Sequence, residues 1–401
     1  METGMTSQRA DALRLEELPM ASDRTAAFTI IRDAGPVAPI DHGGFAAASQ
    51  ETAEYVFRHP ELFSSKRAWD AAGSPVPMVP IAFDPPEHTR FRRILQPFFS
   101  PRVVKLMLPT VQALAGQLID NFIDRGECDL TGDFAVPLPA EVFLTLFGLP
   151  LADLDRLLEW KDTIINLFDL RGSAAPSEEV VKTAADMHGY LLRHLEERRR
   201  QDEGGDLLSQ LLADTSEERL TTDELLGMSF LFVGAGLDTV TSSLSTQFAH
   251  LAVNAELRHQ ITRDPALIPD AVEEFLRVEP AVPVLPRVAT QDTELGGCPI
   301  RAGAPIQVAI GAANRDPAEH PDPDSIDFRR QQRHLSFGAG PHRCLGSHLA
   351  RMELRVAHQE WHRRIPEYEL APGTRPEVTW PAITAGIDSL PLVFPSGGAA
   401  R

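Results

Sequence analysis

Across residues 221–254, apolar side chains fall on nearly every side of a helical projection: Leu225, Leu226, Met228, Phe230, Leu231, Phe232 and Val233. That distribution predicts a helix buried all round. Thr221 and Glu224 stand at capping-box spacing at its start. A helix of about thirty residues runs roughly 45 Å, enough to cross a domain and organise what packs on it. A second pattern begins at Leu345. Leu345, Leu349, Met352 and Val356 share one face, with Arg351, Glu353, Arg355 and His358 mostly off it, which predicts an amphipathic helix.

Further helices are predicted over 26–33, 50–58, from Pro86 onward, 103–122, 139–147, 153–170, 177–200 and 270–279. Strands are few and short: 37–40, 44–48, from Arg287, and 306–310, with 129–134 also extended. Residues 64–80 carry Gly73, Pro75, Pro77 and Pro80 and read as a loop. Residues 171–177 also read as a loop, and 1–24 as a loosely packed lead-in. The balance predicts a mainly α protein with small β-sheets.

Two stretches break these patterns. The long apolar helix contains Gly234-Ala235-Gly236-Leu237-Asp238-Thr239. Glycine inside a helix costs about 1 kcal/mol relative to alanine, so two of them call for a reason: room for a bound group, or a local opening of the ladder. Asp238 and Thr239 are costly in an apolar setting unless paired or solvated. The plain alternative is a threonine bonded back to a carbonyl and an aspartate meeting a distant arginine. The other stretch is Phe337-Gly338-Ala339-Gly340-Pro341-His342-Arg343-Cys344-Leu345-Gly346. A thiol at a helix start meets free N–H groups and the positive end of the dipole. Both, with Arg343, favour thiolate. Gly338, Gly340 and Gly346 permit turns and close approach. The string suits a flat object lying on backbone with sulfur at its centre. Near Pro86, His88 and Arg92 lie four apart on one helix face, two donors suited to a carboxylate-bearing ligand.

These strings resemble the cytochrome P450 superfamily, in its bacterial soluble class. The run from Phe337 to Gly346 meets every fixed position of the haem signature. Asp84-Pro85-Pro86-Glu87-His88 through Arg92 matches a haem-propionate string. Gly236-Leu237-Asp238-Thr239-Val240 is similar to the oxygen-activation motif of camphor-hydroxylase-like members. The resemblance implies one domain over 1–401 binding haem b. Cys344 would be the iron ligand, whose electron push favours O–O cleavage. Phe337, Gly338, Gly346, Ala235 and Gly236 would lie against the haem. His88, Arg92, Arg287 and His342 would hold its propionates, arginine by bidentate geometry. Thr239 would position a water, and Asp238 would relay protons to bound O2. Glu274 and Arg277 would form a structural pair completed by Arg329 or Arg330; spacing leaves both open.

The same resemblance implies a substrate pocket lined by Val79, Leu231, Val282, Leu285 and Ile383. Trp69, Val76, Met78 and Ile81 of the loop would join it, as would Val284, Thr384 and the lid residues Leu167, Phe168 and Leu170. The implied activity is insertion of one oxygen atom of O2 into a hydrophobic small molecule, by hydroxylation or epoxidation. Electrons would come from NAD(P)H through ferredoxin reductase and a ferredoxin docking near Arg102, Arg343 and Arg351. The alternatives are an H2O2-using peroxygenase and a haem-binding sensor without turnover. The Asp238–Thr239 pair disfavours both.

Composition narrows the setting. A formal charge of −19 argues against nucleic acid and anionic membranes as partners. Three cysteines in 401 residues make no disulfide framework, which fits a reducing cytosol. Residues 1–20 lack an apolar signal core, and the apolar run 228–237 is too short for a membrane span. A cytoplasmic monomer is expected.

Overall fold

The computed structural model describes residues 12–71, 77–165, 177–200, 204–330 and 333–396. In chain order the first half contains α1 (Arg24–Asp33), β1 (Val37–Pro39), β2 (Phe45–Ala47), α2 (Gln50–Arg58), β3 (Phe63–Ser64), α3 (Ser65–Ala71), α4 (Glu87–Leu95), α5 (Pro101–Asp120), β4 (Glu127–Asp129), α6 (Pro137–Phe147), α7 (Leu154–Ile165) and α8 (Glu178–Arg199). The second half contains α9 (Leu207–Ala213), α10 (Thr222–Val253), α11 (Ala255–Arg263), α12 (Ile268–Val278), β5 (Leu285–Ala289), β6 (Thr293–Leu295), β7 (Cys298–Ile300), β8 (Pro305–Val308), α13 (Ile310–Ala313), α14 (Ser347–Arg364), β9 (Glu369–Leu370) and β10 (Pro391–Val393). The protein is helix-rich with small sheets. One sheet runs β1-β2-β8-β5-β3, with β2 and β8 parallel and the other pairs antiparallel. The others are β4-β10-β9 and the hairpin β6-β7.

The helices begin where short polar side chains take up free N–H groups. Asp23, Ser49, Ser177, Asp206 and Asn254 each accept a backbone N–H in the first turn of the adjoining helix. Thr221 and Glu224 close a full capping box. The predicted helix α10 runs unbroken between two apolar clusters. Its first half packs in one cluster with α6, α7 and α8, and its second half in another with α5, α12 and α14. By length and composition it could cross a membrane, and 56% of its most apolar window is buried inside the protein. Buried His358 of α14 meets Gln247 of α10 at 2.8 Å.

Several expectations are corrected. The segment 64–80 is not all loop. Asp84 accepts N–H groups from Ser65 and Lys66 and so caps the short helix α3. Residues 129–134 are not extended: β4 ends at Asp129, and Thr131–Ala135 form a π turn leading into α6. Strand β8 stops at Val308, and Ile310 starts α13. Helices α9 and α11 escaped the sequence reading. The lead-in is docked from residue 12: Leu13 bridges to the β1 end, and Leu15 and Met20 are core residues. It also grips the far end of the chain. Trp380 Nε1 donates to Leu15 O (3.2 Å), Val378 N to Ala21 O (3.1 Å) and Arg24 to Ala385 O (3.2 Å). Val76, Leu167, Phe168, Leu170 and the loop 171–176 lie outside the described residues.

Glu274 and Arg277 on α12 are both fully buried and pair through two 2.8 Å contacts. Arg330, not Arg329, completes the cluster at 3.2 Å from Glu274. Arg277 also donates to the carbonyls of Asn314, Pro323 and Ser325. The cluster therefore staples the irregular chain before the cysteine loop onto α12.

Candidate active site

The cysteine loop is a closed turn. Cys344 N–H donates to Phe337 O at 2.8 Å, and Gly338 N–H to Leu335 O at 2.7 Å. Gly338 and Gly340 both sit at φ 64°, which favours glycine. A side chain on Gly340 would strike the Phe57 carbonyl. Gly346, by contrast, caps α14 at φ −80° with no neighbour within 4 Å of where a Cβ would stand. Its open side is room, not turn geometry. Cys344 is an exposed free thiol. Burial of its sulfur among protein atoms pushes the thiol up, against the Gly346 N–H, Arg92, Arg343 and Arg351, which pull it down. Desolvation and the surrounding donors thus pull the thiol in opposite directions. A positive centre beside the sulfur would add to the donors that favour its ionised form.

His88 and Arg92 of α4, Arg287 of β5 and His342 of the loop converge. The His88 and His342 rings lie 4.0 Å apart, and Arg287 stacks on Phe57 at 5.4 Å. Burial presses all four toward neutrality, helped by neighbouring cations at His88, Arg92 and His342 and opposed by Asp84 at His88 and Arg287. Burial, then Arg92, takes His88 to about 4. Burial, then Arg287, takes His342 to about 2. Burial takes Arg287 to about 10, and burial with Arg343 lowers Arg92. Among the described residues neither Arg92 nor Arg287 makes an ion pair, and His88 Nδ1 and His342 Nε2 are buried without partners. A cation cluster of this kind is costly by itself and fits a buried dianion. Together with the open thiol and the clear space at Gly346, these residues fit a flat dianionic cofactor carrying a metal.

Strand β5 joins this cluster to a cavity. Leu285 lines the cavity, and Arg287, two residues on, faces the same side. Leu231, Val282 and Ile383 line it as expected, with Trp69, Met78, Ile81, Gly234, Ala235 and Thr239. Val79 does not. It is fully buried and packs beside Gly227 of α10 instead, while its neighbours Met78 and Ile81 face inward. Val284 belongs to the core.

The polar residues of α10 have partners no local motif shows. Asp238 accepts from Lys161 Nζ of α7 at 2.9 Å and from the Thr384 hydroxyl. Lys161 also meets exposed Asp162 at 2.5 Å. Burial works against its charge, but Asp238 and Asp162 hold the ammonium above its ordinary range. The aspartate thus meets a lysine where an arginine was the alternative. The Thr239 hydroxyl donates to Ala235 O at 3.2 Å. The two glycines differ. At Gly234 nothing stands within 4 Å of a built Cβ, and Gly234 lines the cavity. At Gly236 a Cβ would fall 2.7 Å from the Phe143 ring, so this glycine lets α6 approach α10. Arg351 is also reassigned. It is bound to Glu273 at 2.7 and 2.8 Å and lies over the Phe337 ring at 4.3 Å, so it is not a free surface cation. Arg102 and Arg343 are exposed.

Comparison with known proteins bears on this geometry. The family model described as Cytochrome P450 matches residues 159–361. "Probable cytochrome P450 127A1" of Sinorhizobium fredii is 35% identical over 386 residues, covering 93% of this chain and 90% of that protein. The "Mycinamicin IV hydroxylase/epoxidase" of Micromonospora griseorubida is 36% identical over 320 residues, covering 78% and 79%. The solved structure of CalO2 superposes with a TM-score of 0.89 at 28% identity, covering 97% of this chain and 100% of that one. A cysteine turn or a glycine-broken helix could arise alone in many folds. Relatives that share the chain almost end to end leave one reading, and the chain belongs to the cytochrome P450 family, as a cytochrome P450 monooxygenase.

Proposed function

We propose that this protein binds haem b through Cys344 and transfers one oxygen atom of O2 to a C–H or C=C bond of a hydrophobic small molecule. The second oxygen atom leaves as water, with two electrons from NAD(P)H and two protons. We further propose that a ferredoxin and its reductase deliver the electrons, that Arg102 and Arg343 meet the ferredoxin, and that the protein works as one cytoplasmic, monomeric unit. The observation that carries the reading is the buried cluster of His88, Arg92, Arg287 and His342, in which neither arginine makes an ion pair among the described residues and which adjoins the thiol loop.

Haem supplies an iron centre that activates O2 when bound. The chain's residues do the rest. Cys344 supplies the sulfur ligand, and the four donors hold two carboxylates. The apolar cavity excludes water around the substrate. Asp238 takes Lys161 at Oδ1 and Thr384 at Oδ2, one residue before Thr239 in α10. Exposed Asp162 continues that line to solvent. In this reading the chain Asp162–Lys161–Asp238 carries protons from solvent toward Thr239. The test is the carbon-monoxide spectrum of the reduced holoprotein, where thiolate ligation gives a strongly red-shifted Soret band. Cys344→Ser should lose it and Cys128→Ser should keep it. A histidine-type spectrum in intact protein overturns the reading.

A further inference from the structure

The cavity beside α10 measures about 150 Å³. Its wall includes Met78, Ile164, Met187, Phe230 and Leu231. Besides the Trp69 ring, three polar side chains reach it: Lys161, Thr239 and Thr384. All three are engaged. Lys161 Nζ is divided between Asp238 and Asp162. The Thr384 hydroxyl donates to Asp238, and that of Thr239 donates to Ala235 O. Among these three, what stays open is the acceptor capacity of two hydroxyl oxygens.

The consequence for a ligand is selective. A carboxylate would have to draw Lys161 away from two anions. An ammonium would have to displace Lys161 or Thr384 from Asp238. Either charge, left unpaired, costs several kcal/mol to bury. A neutral hydroxyl would find an acceptor at Thr384 or Thr239. Size is bounded as well, since an apolar cavity of about 150 Å³ takes benzene.

Resting on the monooxygenase reading above, we propose that this site selects compact, neutral, hydrocarbon-like substrates, of roughly one ring with a short side chain. They carry at most a hydroxyl group. Carboxylates of the same size and polycyclic molecules are excluded.

The test titrates the haem-loaded protein with three probes: butylbenzene, 3-phenylpropanoate and progesterone. Binding is read by the Soret spin-state shift and, independently of the haem signal, by thermal stabilisation. Butylbenzene should bind at least about tenfold more tightly than 3-phenylpropanoate, and progesterone should give no saturable change. Leu231→Trp fills the cavity and should weaken butylbenzene by about tenfold or more, with the thiolate-type carbon-monoxide band retained. The proposal is overturned if the acid or the steroid binds as tightly as butylbenzene. It is equally overturned if butylbenzene fails to bind, or if Leu231→Trp leaves its affinity unchanged. A lost thiolate band in the wild-type protein would instead overturn the parent reading, and the thermal series would still rank the three probes.

Discussion

Glu273 holds Arg351 in a two-pronged grip, Oε1 to Nε at 2.7 Å and Oε2 to Nη2 at 2.8 Å. The grip joins α12 to α14 and presses the guanidinium onto Phe337, whose carbonyl receives the Cys344 N–H. His334 and Arg355 approach the same carboxylate at 3.2 and 3.3 Å. Glu273 and Glu274 thus divide the work: Glu274 fixes the irregular chain before the loop, and Glu273 the loop's own ring.

Glu273→Gln should therefore destabilise the protein and loosen the loop. Its cost should fall between the ~1 kcal/mol of an exposed pair and the roughly 3–5 kcal/mol of a broken buried one. Urea denaturation measures the first effect and the rate of haem loss the second. Glu360→Gln, which removes a pair with exposed Arg363, is the control and should change neither. Equal behaviour of the two variants would reject the role given to Glu273.

Acid should act first through buried neutral histidines and then through two carboxylates. Burial raises Glu273, but His334 and Arg351 outweigh it and hold the carboxyl at about 2. Burial likewise raises Glu279, but Arg24 and His250 bring it to about 2. A depressed native value means the unfolded chain binds protons first, so stability falls as pH falls. The contribution is fully present above the unfolded value of about 4.3 and is lost between there and about 2. Denaturation midpoints of the apoprotein at pH 7, 5 and 3 should fall over both intervals. From about 6.5 downward the unfolded chain protonates histidines that burial keeps neutral in the fold, such as His88 and His362, each lowered to about 4. Below about 4.3 the two carboxylates add to the drop. Glu273→Gln should flatten the drop.

The two glycines of α10 separate packing from space. Gly236→Ala drives a methyl into Phe143 and should cost about 1–3 kcal/mol. Gly234→Ala meets no protein atom and should leave the apoprotein as stable or up to about 1 kcal/mol more so. It should nevertheless weaken butylbenzene binding in the holoprotein, since its methyl enters the cavity. Thermal melts of both apoproteins decide the comparison, and equal losses would refute it.

Removing the groups proposed to handle protons should leave binding of a hydrocarbon substrate largely intact and alter the later steps of turnover. Thr239→Ala should keep consuming NADH with surrogate ferredoxin and reductase but divert it to peroxide. Asp238→Asn should slow consumption and enlarge the solvent isotope effect, as expected for a chemical-step lesion. NADH, peroxide and product are measured together. Wild-type rate and coupling in both variants would make the pair structural.

If a partner docks at the cysteine side, Arg343→Glu and Arg102→Glu should slow its electron transfer in a salt-dependent way. Stopped-flow reduction at two ionic strengths measures this. Wild-type rates in both reject the docking face.

What the sequence showed depended on how local each feature is. The turn from Phe337 to Gly346 and the capping box at Thr221 are written in neighbouring residues, so both were legible. So was the buried character of α10. The partner of Asp238 was not, because Lys161 lies 77 positions away on another helix. A lone lysine within an amphipathic helix carries no such signal. Val79 was misplaced because an irregular proline-rich chain has no period from which to read facing, so Met78 and Ile81 point inward while Val79 does not. Helix α3 was missed because its cap, Asp84, comes after it in the chain and reaches it only through folding. The reason for Gly236 lay in Phe143, likewise on a separate helix.

The lead-in has a practical side. Leu15, Ala21 and Arg24 hold Trp380, Val378 and Ala385, and Ile383 and Thr384 of that same segment border the cavity. An expression tag joined upstream of residue 12 leaves those ties alone. A trimmed version starting after residue 24 would cut all three. The trimmed protein would then have a slack wall next to Asp238, and its substrate preferences would no longer be those of the parent.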